Sequence, residues 1–179
     1  MTTGDVTNPS TMGVHEHKAH GPARVRCYVV TVTDTRTEAN DLSGHTARQL
    51  IETAGHDVVG YRIISDDATE VTALVRRIFN EGLAEAVILN GGTGIARRDS
   101  TYEAVAGLLD KRLDGFGELF RMLSFHEIGS AAMVSRAVGG IIGGKMVVFS
   151  LPGSTGAVKT ALEKLILPEL GHLIGELRK

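Results

Sequence analysis

The run Asn90-Gly91-Gly92-Thr93-Gly94, followed closely by Arg97-Arg98-Asp99, gathers free amides, a hydroxyl, two cations and a carboxylate into one short segment. Glycines let the backbone curl its N–H groups around phosphate oxygens. Arginines neutralise charge, and an aspartate can hold Mg²⁺ through oxygen. The chemistry in outline is the holding of a phosphate-bearing anion; the plainer reading is a tight turn with a solvated charge pair. Asp66-Asp67 offers carboxylates that could face the same ligand, or a helix N-cap and a first-turn acid. Ser135-Arg136 offers a hydroxyl and a fork-shaped cation, or a surface ion pair. His126 has the chemistry of a general acid or base, but a lone histidine beside an amphipathic helix also serves structure. Two nucleotide signatures are near misses. Gly139 and Gly144-Lys145 have P-loop spacing, but Met146 stands where Ser or Thr would hold Mg²⁺. The dinucleotide fingerprint fails because Arg97 follows Gly92-Thr93-Gly94 at the third glycine position, and Phe120 follows Gly115-Phe116-Gly117.

Something must carry these segments to one place. Val25 to Val32 reads as a strand buried on both faces. A helix then opens at Ser43 as N-cap and repeats Ala47, Leu50, Ile51 and Ala54 until Gly55 stops it. Val58 to Ile64 is a second strand, and Val71, Leu74, Val75, Ile78 and Phe79 mark a second helix ending near Gly82. Ala84 to Leu89 is a third strand running into the glycines. Thr101 to Leu109 and Phe116 to Glu127 read as helices, the latter turning Leu119, Phe120, Leu123 and Phe125 inward. Gly129 to Ala137 reads as another helix. Val138 to Ile142 and Met146 to Leu151 pair as a hairpin across Gly143-Gly144. A last helix opens after Pro152-Gly153, capped by Ser154 or Thr155, and is kinked or restarted by Pro168. This alternation implies a mostly parallel sheet covered by helices on both faces, with ligands beyond the carboxyl ends of the strands. Thr33 to Arg36, Asn90 to Gly94 and Ser150 to Thr155 all leave strands at that edge.

Composition sets the outer limits. The 179 residues suit one domain, 23–179, preceded by a mobile tail over Met1 to Pro22 whose His15, His17 and His20 form at most a weak metal site. With 42% hydrophobic residues, 22% charged and a net charge of -2, the chain is neither disordered nor a basic, nucleic-acid-coating protein. Aromatic residues at 4% leave few platforms for stacking bases. The single cysteine, Cys27, lies in an apolar run, so a buried thiol in a reducing compartment is expected. No stretch is long enough to span a membrane, and the first twenty residues lack a secretory apolar region, so a cytoplasmic location is expected.

Six segments in order carry a resemblance: Thr33-Asp34-Thr35-Arg36, Asn90 to Gly94, Arg97-Arg98-Asp99, Gly115-Phe116-Gly117-Glu118, Ser135-Arg136 and Leu151-Pro152-Gly153-Ser154. They resemble the MoaB/MogA family of molybdenum cofactor biosynthesis from Arg24 to the C-terminus. The resemblance implies a three-layer, Rossmann-like molybdopterin-binding α/β fold, assembled as a trimer or hexamer. It implies Mg²⁺-dependent transfer of AMP from ATP to the phosphate of molybdopterin, with release of pyrophosphate. Asp66 and Asp99 match the family's functional carboxylates and are the expected catalytic residues and Mg²⁺ ligands. Substrate is expected on Thr33, Asp34 and Arg36, on Gly91, Gly92, Thr93 and Gly94, on Arg97 and Arg98, on Ser135 and Arg136, and on Pro152, Gly153 and Ser154. Asn90 departs from the family's usual threonine, though an asparagine still donates and accepts hydrogen bonds. Phe120 to Gly129 and Ser135 to Val138 resemble the MoaB branch, whereas Arg97-Arg98-Asp99 resembles the MogA branch. The alternative implied by the MoaB likeness is a non-catalytic molybdopterin carrier.

Overall fold

The computed structural model describes residues 21–179. Most of the segment read as a tail, with its three histidines, lies outside them, but Gly21 and Pro22 already pack against Gly171. Six strands form one sheet in the order β2-β1-β3-β6-β5-β4: β1 (Arg26–Val32), β2 (Asp57–Ile64), β3 (Ala86–Asn90), β4 (Lys111–Arg112), β5 (Val138–Ile142) and β6 (Met146–Leu151). β2, β1, β3 and β6 are mutually parallel; β5 pairs antiparallel with both neighbours and is the one reversed strand. The expected hairpin is present, turning through Gly143 and Gly144, both at positive φ. The two-residue β4 was not anticipated.

Alternation along β1 divides the core. Cys27 and Val29 join the layer formed by α1 (Leu42–Thr53), α4 (Asp114–Ile128), α5 (Thr155–Ala161) and α6 (Leu167–Leu177). Val30 and Val32 join the opposite layer, built from α2 (Ala68–Asn80) and α3 (Thr101–Ala106). The three-layer expectation holds. β3 and β6 are buried along their whole lengths, and each large apolar side chain so buried contributes roughly 1.5–3 kcal/mol. Burial of the Cys27 thiol, with Glu85 and Asp57 nearby, pushes its pKa up to about 12, so it is an inert core group.

Local differences have local causes. The cap of α1 is Asp41 rather than Ser43: its carboxylate accepts the Gly44 N–H at 3.1 Å, while Ser43 turns inward. Glu38–Asn40 and Gly129–Val134 are short 3-10 turns, the latter where a fuller helix was expected. On α4, Phe116 and Phe120 are buried but Leu119 and Phe125 face outward. The restart at Pro168 is real: a π turn over Leu162–Ile166 separates α5 from α6, absorbing the amide and steric conflict that proline brings to a helix interior.

Candidate functional site

The parallel strands deliver their following loops to one edge, where a cleft of about 470 Å³ opens. It is lined by Thr33 to Arg36 after β1, Asp66 after β2, Gly91 to Gly94 with Arg98 and Asp99 after β3, and Pro152-Gly153 after β6. Ser135 and Arg136 close it from the start of β5, with Ile128, Ala131 and Val134 as an apolar wall. Two expected residues lie elsewhere. Arg97 lines a neighbouring depression, and the Ser154 hydroxyl caps α5 by accepting the Ala157 N–H at 3.2 Å. His126 is exposed on α4 and does not line the cleft.

The glycine loop is shaped by close approach. Gly91 and Gly92 have φ of 108° and 61°, and a Cβ on Gly91 would overlap the Val32 carbonyl oxygen. Gly153 packs on Gly91, its Cβ position 3.1 Å from the Gly91 Cα. A Cβ on Gly92 would stand 2.6 Å from Asp66 Oδ1, and one on Gly94 would overlap Asp99 Oδ2. Both expected carboxylates therefore press directly against the loop.

Three carboxylates interact here. Asp34 Oδ1 accepts the Asp66 N–H at 3.0 Å, and its Oδ2 faces Arg98 Nη1 at 3.4 Å. Asp66 Oδ1 accepts long bonds from the Ser100 N–H at 3.4 Å and the Thr101 hydroxyl at 3.3 Å. Partial burial, together with the charges of Asp99 and Asp34, raises the Asp66 pKa above its ordinary value. Asp99 Oδ2 accepts the Ala96 N–H at 2.9 Å, which closes its own turn. Asp67 does what the bland reading assigned it, capping α2 through the Thr69 and Glu70 N–H groups.

Two of the arginines brace loops. Arg136 donates from Nε to the Thr93 carbonyl at 3.0 Å and from Nη2 to those of Gly94 and Asp99 at 2.5 and 3.3 Å, and it also pairs with Glu103. It clamps the glycine loop from β5. Arg36 donates to the Gly153 carbonyl at 3.0 Å and to the Ser43 hydroxyl at 2.7 Å, tying the first loop to the last.

Beneath Arg36 lies a polar cluster that sequence reasoning missed. The Asp41 carboxylate is fully buried and accepts hydroxyls from Thr31 at 2.5 Å, Tyr61 at 2.6 Å and Ser43 at 3.0 Å, besides the Gly44 N–H. Arg36 Nη1 stands 3.6 Å away. Burial alone would raise the Asp41 pKa, but these donors outweigh it and hold the group below its ordinary value. Asn90 completes the cluster: its amide donates to Thr31 Oγ1 at 3.0 Å and to the Val30 carbonyl at 3.2 Å, and Ser43 stands 2.7 Å from its Oδ1. A buried Thr and Asn at the ends of two apolar strands were the available signal.

The comparisons agree with this geometry. Residues 28–172 match the family described as "Probable molybdopterin binding domain". Molybdenum cofactor biosynthesis protein B of Bacillus cereus is 54% identical over 169 residues, spanning 94% of this chain and 99% of that protein. A crystal structure of a molybdenum cofactor biosynthesis protein B is similar with a TM-score of 0.84 at 54% identity, covering 88% of this chain and 98% of that one. The tungsten cofactor synthesizing protein MoaB from Pyrococcus furiosus gives 0.79 at 39% identity, covering 88% and 99%. The chain belongs to the MoaB/MogA family of molybdopterin-binding domains, alongside the members named molybdenum cofactor biosynthesis protein B.

Proposed function

We propose that this chain acts in molybdenum cofactor biosynthesis by transferring AMP from ATP to the phosphate of molybdopterin. A molybdopterin phosphate oxygen bonds to the α-phosphorus as the bond from that phosphorus to the bridging oxygen breaks. The electron pair leaves with pyrophosphate. The observation that carries this reading is the meeting of Asp34, Asp66 and Asp99 at a loop shaped for anions. A site that only held a phosphate would gain nothing from carboxylates facing it. Two anionic reactants brought together with a divalent cation would use them.

Asp66 and Asp99 fit Mg²⁺ as hard oxygen donors. Among the described residues no group of three or more His, Cys, Asp or Glu could hold a metal, so oxygens of substrate and water would complete the shell. Bound there, the ion would neutralise charge on the transferring phosphoryl group. The chain's own part is positioning: the Gly91 N–H is spent on the Leu151 carbonyl, so the amides of Gly92 to Gly94 would hold one phosphate, while Ile128, Ala131 and Val134 would offer an apolar wall to the flat pterin. We read Leu119, Met122, Phe125 and Met133, all exposed, as the face that packs in a trimer or hexamer. The buried Cys27 suits a reducing cytoplasm, and no described helix is long and apolar enough to cross a membrane.

Single-turnover formation of adenylylated molybdopterin from purified protein, ATP and Mg²⁺ tests the reading. Asp99→Asn should keep molybdopterin affinity and lose turnover by about a hundredfold, since the removed charge acts chiefly on the transition state. A wild-type protein that binds molybdopterin and forms no product would be a carrier instead.

A further inference from the structure

Beyond Asp99 the cleft does not end. A second depression of about 400 Å³ is lined by Ile95, Ala96, Arg97, Ser100 and Glu103, and it shares Asp99 and Arg136 with the main cleft. One carboxylate, that of Asp99, thus stands in the wall common to two adjoining cavities. The charged groups of the smaller cavity differ in their commitments. Glu103 pairs with Arg136, which holds its pKa below the ordinary value, and Arg136 is further bound to the carbonyls of the glycine loop. Asp99 accepts the Ala96 N–H. Arg97 makes no hydrogen bond or ion pair with any described residue, whereas Arg36, Arg98 and Arg136 all do. It is the uncommitted guanidinium of the loop, and it lines the smaller cavity and not the larger.

In-line displacement at phosphorus requires that the attacking and leaving oxygens stand on opposite sides of the transferring group. Two adjoining cavities that share Asp99 offer separate places for the two oxygens. We infer that the Arg97 depression receives the β- and γ-phosphates of the nucleoside triphosphate and holds them as pyrophosphate when the α-phosphorus is transferred. This rests on the adenylyl-transfer reading above and assigns the two halves of the reaction to two places. The larger cavity has the apolar wall that a pterin needs. The smaller is lined by the free guanidinium of Arg97, which matches phosphate by forked, charge-assisted hydrogen bonds. Glu103 is neutralised by Arg136, but the Asp99 carboxylate would repel a bare polyphosphate. The occupant is therefore the magnesium complex.

The test uses magnesium pyrophosphate as the probe, by calorimetric titration of the full chain and as a product inhibitor of turnover. Arg97→Ala should weaken magnesium pyrophosphate binding about ten- to hundredfold, the usual effect of removing a hydrogen bond to a charged group. It should lower kcat/KM for ATP by a similar factor and leave molybdopterin affinity unchanged. Arg97→Lys should recover part of the loss, because the charge remains while the fork is gone. Unchanged pyrophosphate binding in Arg97→Ala, a loss confined to molybdopterin, or no magnesium pyrophosphate binding by the wild type would each overturn the assignment. The calorimetric arm keeps the two readings apart. A wild-type chain that binds magnesium pyrophosphate through Arg97 but forms no adenylylated product would refute adenylyl transfer and keep this subsite.

Discussion

Gly92→Ala probes the packing of the glycine loop against Asp66 and Thr101, which are themselves in contact. Residue 92 has φ of 61°, a region where an L side chain costs about 1–2 kcal/mol. For a domain of this size that is roughly 2–8 °C of melting temperature, well within the ~5–15 kcal/mol of a typical fold. The new methyl would also overlap Thr101 Oγ1 and stand 2.6 Å from Asp66 Oδ1, whereas ordinary contact begins at 3.4 Å, so the Thr101 hydroxyl must give way and the carboxylate must move by about 0.8 Å. A displacement of that size at a reacting centre is enough for roughly a hundredfold loss of rate. Gly144→Ala is the control. Its φ is 64°, so it carries the same backbone cost, but nothing lies within 4 Å of its Cβ, and it sits at the hairpin tip away from the cleft. Gly92→Ala should melt below Gly144→Ala by the cost of moving Thr101 and Asp66, about 1–3 kcal/mol, while single-turnover adenylylation by the folded protein should fall only in Gly92→Ala. Equal activity in the two variants would refute the claim that Gly92 makes room for Asp66.

Two further outcomes are expected. Light scattering at micromolar concentration should show a trimer or hexamer, and replacing Phe125 and Met133 together by glutamate should shift it to monomer; a wild-type monomer would remove the assembly reading. His56 is buried and its Nδ1 accepts the Val25 N–H at 3.3 Å, so the ring must be neutral. Burial, partly opposed by Asp57, lowers its pKa below 6.5 in the fold. Its contribution to stability is full above that value and is lost as pH falls through the folded pKa, so His56→Gln should flatten the decline in melting temperature between pH 7 and 5. An unchanged decline would assign the acid sensitivity to other groups.

The elements with strong periodicity were legible because burial imposes it: the β1 run, the α2 stripe and the hairpin glycines follow from packing against one sheet. The convergence of Thr33 to Arg36, the glycine loop and Pro152-Gly153 followed from strand direction, whereas Asp66 was expected there from the family resemblance. What the sequence withheld was commitment. It shows that Arg36 and Arg136 are cations but not that their partners are backbone carbonyls, which carry no sequence signal. Leu119 and Phe125 fit the helical period, yet a stripe does not say whether it faces a core or another surface. At α1, Asp41 and Ser43 are both acceptable caps, and only tertiary burial of Ser43 against Asn90 decides between them.

That cluster constrains how the chain can change over generations. Asp41, Thr31, Ser43, Tyr61 and Asn90 lie on β1, α1, β2, β3 and the turn before α1, far apart in sequence, yet they share one buried charge. Exchanging any one alone leaves a buried donor or acceptor unmatched, at about 1–3 kcal/mol, a large part of a typical domain's margin. A threonine at 90 illustrates the point: its single hydroxyl hydrogen cannot replace both donations of the Asn90 amide, to Thr31 and to the Val30 carbonyl, and so its neighbours must be arranged differently. Mutational paths through this region are therefore narrow, and the five positions should covary as a set although they lie beneath the cleft, joined to it through Arg36 and through the chain neighbours Val32 and Gly91.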